Sequence, residues 1–150
     1  MGIKTICLNR KAHYDYYVDD SIEAGLVLTG TEIKSLRQGK VSLQDAYAQA
    51  QDGELWLMNA HIARYQGGNR YNHQPTRNRK LLLHREQIAN LIGKATAKGF
   101  TLVPLKLYFK NGIAKVELGL ARGKKLYDKR ATLARRYAQR QMEQALRHKA

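Results

Sequence analysis

The sequence predicts a mainly β chain: a small closed antiparallel barrel with short flanking helices and a basic C-terminal tail that is helical when bound. Three observations carry that expectation. About six short runs rich in Tyr, Val, Ile and Leu are separated by turn residues, with only two short helical patterns among them. Two of the separators, Asp52-Gly53 and Asn111-Gly112, stand between apolar runs and are strong hairpin signals. Residues 122–150 hold too few large apolar side chains for a core, yet carry a cation at nearly every turn. An oligonucleotide-binding (OB-like) barrel is the small closed form expected of such a pattern. The chain divides into a barrel, residues 1–121, and a tail, residues 122–150.

Element by element, residues 1–13 read as a basic, polar lead with a short apolar start. "YDYYVDDSIEAGLVL" reads as one or two strands around an Asp19-Asp20 turn. "TGTEIKSLRQGK" reads as a short helix with Thr31 as its N-cap, Ile33 and Leu36 on one side and Gly39 as its stop. A hairpin follows at Asp52-Gly53, then the polar loop "GGNRYNHQPTRN" and a short strand "RKLLLH". Ile88, Leu91, Ile92 and Ala95 give Arg85–Lys98 an amphipathic period, closed by Gly99. In "TLVPLKLYFKNGIAKVELGL", strand alternation places Val103, Leu105, Leu107 and Phe109 on one face. Beyond the type I′ turn, Ala114, Val116, Leu118 and Leu120 take the matching face, with Lys115 and Glu117 outward.

Charge selects the partner class. The 150 residues carry 27 Lys and Arg against 12 Asp and Glu, a net +15. Residues 122–150 alone hold ten cations against Asp128 and Glu143, a net +8, which leaves +7 for the much longer body. Such a surplus calls for an anionic partner. A lipid-binding helix would set Leu, Phe or Trp along one side, and this end has few, so nucleic acid is favoured over membrane. No apolar run is long enough to span a bilayer, and the single Cys7 permits no internal disulfide, so a cytoplasmic protein is expected.

Catalytic signals are sparse. His13, His61, His73, His84, His148 and Cys7 have no ligand-like spacing, so no metal site is expected. Phosphate-cradling loops and nucleophile elbows are absent, so neither a cofactor nor an enzyme is expected. Asp19, Asp20 and Glu23 form an acidic patch; adjacent carboxylates sometimes hold Mg²⁺ in a nuclease, but such a cluster is usually a solvated turn. Glu23 stands out within an apolar strand. It suits pairing with a basic residue or accepting from a base edge.

From Asp128, a good N-cap, to Arg147 the tail has no Gly or Pro and is rich in helix formers. At 100° per residue, Lys129, Arg136, Arg140 and Arg147 share one side, opposite Ala131, Ala134, Ala138, Met142 and Ala145. A cationic stripe backed by small residues folds weakly alone but suits a narrow anionic channel. A loosely helical solvated end and docking of the Ala/Met side on the barrel are the other readings.

Three segments carry a resemblance: "LNRKAHYDYYVDDSIEAGLVLTGTEIKSLRQGKVSL", "PTRNRKLLLHREQI" and "GKKLYDKR". In order and spacing the chain resembles the SsrA-RNA-binding protein family (small protein B), from about Asn9 to Arg130, with a similar basic helix beyond. The resemblance implies an OB-like barrel that binds the tRNA-like domain of transfer-messenger RNA (tmRNA) and enters stalled 70S ribosomes for trans-translation. It implies no cofactor and no catalysis. Elongation factor Tu and alanyl-tRNA synthetase act on the same RNA.

The resemblance places an RNA-facing cluster at Asn9, Arg10, Lys11, Glu23, Arg37, Arg77, Arg79, Lys80, Leu82 and His84. Cations there suit phosphates, while Leu82 and His84 would touch a base or sugar at unstacked elbow nucleotides. Strand alternation also allows Leu82 to be a core residue. In the tail, Gly123, Lys124, Lys125, Tyr127, Asp128, Lys129 and Arg130 would meet small-subunit RNA in the decoding centre, and Arg136, Arg140 and Arg147 the empty mRNA channel. Tyr127 departs from the family, which often has His there; a phenol keeps the stacking face and loses the imidazole charge. A general RNA-binding or ribosome-associated OB-fold protein shares the charge but predicts no preference for a tRNA-like elbow.

Overall fold

The computed structural model describes residues 2–124 and 126–148. Along them lie four α-helices, nine strands and one 3-10 turn at Asn69–Tyr71. The strands are β1 (Ile3–Leu8), β2 (Tyr16–Leu26), β3 (Val41–Ser42), β4 (Tyr47–Gln51), β5 (Glu54–Met58), β6 (His61–Ile62), β7 (Arg79–Leu82), β8 (Thr101–Lys110) and β9 (Ile113–Gly123). The helices are α1 (Arg10–Asp15), α2 (Gly30–Arg37), α3 (Arg85–Lys98) and α4 (Leu126–His148). Seven strands form one sheet in the order β1-β8-β4-β5-β7-β2-β9, with β9 pairing also to β8, and β3 pairs with β6. All the pairings are antiparallel. The mainly β class is as expected.

Both predicted hairpin turns form. Asp52 and Gly53, and likewise Asn111 and Gly112, all have positive φ, as a type I′ turn requires. The helix Arg85–Lys98 ends at Gly99 in the left-handed region.

Several expectations are corrected. Within the lead, residues 3–13 are a strand and the start of a helix, because β1 pairs along the second half of β8 and Asn9 caps α1. The Asp19-Asp20 pair is no turn: β2 runs through it as a single strand, with a register shift between Val18 and Asp20. Thr29, not Thr31, caps α2, since Thr29 and Glu32 exchange a capping box. Asp128 is no N-cap, because α4 is already helical from Leu126. The sheet also runs past residue 121, with Arg122 and Gly123 paired to Tyr17 and Tyr16.

A bulge in β8 divides the core. Register shifts between Pro104 and Lys106, so residues before and after it point to opposite faces from those simple alternation gives. Leu102 and Leu107 join Leu55, Leu57, Leu81, Val116 and Leu118 in the main core, which α3 covers with Ile88 and Leu91. Val103 and Leu105 instead meet Ala12 of α1, Ala121, Tyr16 and Val18 in a smaller cluster. The single face expected for Val103, Leu105, Leu107 and Phe109 is therefore split. Gly119 permits this: a Cβ there would fall 2.9 Å from the Leu105 side chain.

Candidate nucleic-acid interface

β7 lies between β5 and β2, so its alternate residues face opposite ways. Arg79 and Leu81 point inward, and Lys80 and Leu82 outward. Leu82 is 52% exposed, which removes the core reading. It pairs with Gly25, where an added Cβ would stand 3.1 Å from Leu82 Cβ. The missing side chain lets Leu82 lie across β2. Glu23, Gly25, Leu82, His84, Gln87 and Lys115 line one open pocket. Three of the predicted RNA-facing residues, Glu23, Leu82 and His84, are thus brought together from two strands and the start of α3.

Register explains the grouping. Gly25 pairs with Lys115 and Glu23 with Glu117, while Lys115 pairs in turn with Tyr108. The Tyr108 hydroxyl donates to Glu23 Oε2, and Lys110 Nζ lies 3.5 Å from Oε1. Donation by Tyr108, aided by the Lys110 charge, holds the Glu23 carboxyl below its ordinary value against slight desolvation. Burial and the Glu23 charge together push the Tyr108 phenol up. Glu23 is therefore an oriented anion with exposed acceptor capacity, suited to a base-edge donor. At the start of α3, Gln87 Oε1 accepts from the His84 N–H at 3.0 Å, which fixes the loop bearing the imidazole. Sequence reading missed Gly25, Gln87, Tyr108 and Lys115; only the outward position of Lys115 was signalled.

Arg79 is a correction. It is 0% exposed, because alternation turns it inward with Leu81. Its Nε donates to Glu32, Nη1 to Ala60 O at 2.8 Å and Nη2 to Pro75 O at 2.9 Å. A phosphate cannot reach it. Arg77 is half-buried and also bound to Glu32, at 2.6 Å. Burial alone would raise the Glu32 carboxyl, but hydrogen bonds from Arg77, the Thr29 N–H and Arg79 outweigh it and hold it at about 2. Burial pulls Arg79 down while Glu32 opposes, and the guanidinium keeps its charge. Asn9 is corrected likewise. It is buried, its Nδ2 donates to Leu43 O and Pro104 O, and its Oδ1 accepts from Ala12 N–H.

The other predicted residues are scattered around the body. Lys80 is outward and bridges Glu54 at 2.9 Å. Arg10 is exposed on α1, and Lys11 pairs with Asp45 at 3.1 Å. Arg37 is exposed at the end of α2, away from the pocket lining. The acidic trio does not converge: Asp19 faces Arg122 at 3.4 Å, Asp20 accepts from Ser21 N–H, and Glu23 faces Tyr108.

The start of α4 is moored to the body. The Lys124 N–H donates to Asp15 O at 2.8 Å, and its Nζ to His13 O at 3.0 Å and to Thr132 Oγ1 at 2.9 Å. Lys129 bridges Asp15 at 3.3 Å. Beyond this, Arg130, Arg140 and Arg147 are exposed and Arg136 half-buried. Leu133, Tyr137, Met142 and Leu146 are exposed too, so the apolar side of the described helix is not docked on the sheet. Lys125 lies outside the described residues, as do the side chains of Tyr127 and Asp128.

The family model "SmpB protein" matches residues 6–148. An SsrA-binding protein of Geobacillus kaustophilus is 59% identical over 146 residues, spanning 97% of this chain and 94% of its own. One of Geobacter metallireducens is 56% identical over 150 residues, spanning 100% and 98%. Among solved structures, a chain described under "tmRNA-SmpB: a journey to the center of the bacterial ribosome" superposes with a TM-score of 0.68 at 53% identity. That match covers 80% of this chain and 85% of the other. With the family model spanning nearly the whole length and relatives this similar, the chain belongs to the SmpB protein family.

Proposed function

We propose that this protein binds the tRNA-like domain of tmRNA and delivers it to stalled ribosomes for trans-translation, without catalysing a bond change itself. One observation carries the reading: Glu23, Leu82 and His84 converge on one open pocket, an oriented anion beside an exposed apolar side chain and an imidazole. That set suits unstacked bases of a folded RNA better than a uniform phosphate surface. SsrA-binding relatives and the tmRNA–SmpB structural neighbour support the choice of RNA.

The body is a closed OB-like barrel on this reading; β9 pairs with β2 on one edge and β8 on the other, which supports closure. Lys80 and Arg10 hold phosphates around the pocket. Past residue 124, α4 enters the decoding region and the vacant mRNA channel, where ribosomal RNA neutralises Arg136, Arg140 and Arg147. Message and tail then exclude each other, which turns steric vacancy into recognition of stalling. Elongation factor Tu and alanyl-tRNA synthetase are partners only through the shared RNA, and the work is cytoplasmic.

The test is recovery of RNA with the full chain from bacterial lysate. Sequencing should find tmRNA enriched far above bulk tRNA. Recovery in proportion to abundance would instead favour a general RNA-binding protein.

A further inference from the structure

A second basic surface lies beside α2, outside the pocket already described. The loop 63–72 packs on that helix: Ser35 Oγ donates to Ala63 O at 2.6 Å, and the Ala63 N–H to Lys40 O at 3.0 Å. On the solvent side, Lys34 Nζ stands 5.3 Å from the Tyr65 ring centroid. Arg70 lies 5.1 Å from the Tyr71 ring and donates to its hydroxyl at 3.2 Å. Arg37 and Lys40 follow Lys34, and Arg64 precedes Tyr65; all are exposed. Segments 33–44 and 60–75 contain no Asp or Glu. The one carboxylate beneath, Glu32, is buried and already paired with Arg77 and Arg79.

Among the described residues, none of Lys34, Arg37, Lys40, Arg64 and Arg70 bridges a carboxylate. Tyr71 is 78% exposed. No other large apolar side chain of α2 or this loop is comparably exposed among the described residues, so the face has little to insert into lipid. Cations without a carboxylate partner on one helix and its packed loop, one of them beside a solvated ring, are the chemistry of unpaired nucleotides: a base stacks on the ring and its phosphates meet the cations.

We propose that α2 and the 63–72 loop form a second RNA platform, taking unpaired nucleotides with Tyr71 as the stacking ring and Lys34, Arg37, Arg64 and Arg70 as phosphate contacts. The inference rests on the reading of RNA as partner. The nucleotides belong either to tmRNA or to the ribosome, and two arms of one experiment separate them.

Full-length protein is titrated, at fixed salt, with tmRNA transcript in one arm and isolated small ribosomal subunits in the other. Arg70→Ala/Tyr71→Ala should lose about tenfold in affinity in at least one arm, as expected for one stacked base and one phosphate contact. Tyr71→Trp, which keeps a π-face, should stay within about twofold of the parent. Loss in the first arm assigns the nucleotides to tmRNA, and loss in the second to the ribosome. No loss in either arm, or equal loss in Tyr71→Trp, overturns the platform. Arg70→Gln, a milder change, should flatten the salt dependence by about one counterion, and an unaltered slope would count against the proposal. Parent protein that binds tmRNA no better than bulk tRNA would defeat the primary reading instead, which keeps the two failures distinct.

Discussion

Glu32 and Arg79 face one another with both side chains at 0% exposure, joined from the first turn of α2 to the first residue of β7. Arg77 and the Thr29 N–H occupy the remaining acceptor positions of the carboxylate. The pair pins the long 59–79 connection against the sheet, since Arg79 also binds Ala60 O and Pro75 O. Removing one charge would leave the other buried. Glu32→Gln should therefore cost about 3–5 kcal/mol in chemical denaturation. A loss below about 1 kcal/mol would mean the pair contributes little.

The same carboxyl sets an acid limit. Its folded value of about 2 lies below the ordinary 4.5. A depressed carboxyl contributes stability that is complete above about 4.5 and fades as pH falls toward 2, an effect on the order of 3 kcal/mol. Denaturation measured across that window should lose most of its slope in Glu32→Gln. An unchanged slope would place the acid sensitivity elsewhere.

Glu23 offers a second titration with the same sign. The Tyr108 hydroxyl is the main cause of its lowered value, so Tyr108→Phe should move the Glu23 carboxyl back up toward 4.5. Carboxyl-carbon NMR would follow it. The parent should hold the charged form to lower pH than the variant, and coincident titrations would contradict the assigned hydrogen bond.

Leu82 and Gly25 form a packing pair whose value is on the outside. Leu82→Ala should change stability by less than about 1 kcal/mol, because the side chain is 52% exposed, yet weaken tmRNA binding by about 5- to 30-fold. Gly25→Ala should displace the same leucine, given the 3.1 Å approach. In a double-mutant cycle the two losses should be strongly non-additive. Full additivity would separate Gly25 from the RNA contact.

Truncation after Thr132 removes the exposed length of α4 but keeps the Lys124 and Lys129 moorings. The shortened protein should bind tmRNA within about twofold of the full chain. Tagging of products on stalled ribosomes should be lost. Tagging at the full rate would refute the channel role of the tail.

Legibility in the sequence followed how local the determinant is. Asp52-Gly53, Asn111-Gly112 and Gly99 announce turns and a helix end through their own backbone preferences, and each was found where expected. Thr29 was missed as a cap because Thr31 and Thr29 are equivalent by residue type, and only the Glu32 carboxylate distinguishes them. The bulge before Lys106 has one local mark, Pro104, whose missing N–H favours a bulge inside a strand, and the opposing Gly119 is the second trace it leaves. At the site, "RNRKLLLH" reads as a uniform basic strand, but alternation buries Arg79 and exposes Leu82. The role of Arg79 depends on Glu32, 47 positions away. Tyr108 beneath Glu23 is equally non-local, set by a register that no local pattern gives.

Competition binding tests the central claim most directly. Parent protein, Glu23→Gln and Lys80→Ala are each bound to the tRNA-like domain of tmRNA and challenged with bulk tRNA over a range of salt. The account predicts that the parent prefers the tRNA-like domain, that Glu23→Gln loses the preference while keeping bulk affinity, and that Lys80→Ala weakens both equally with a salt slope lower by about one. Equal preference in all three proteins would contradict it.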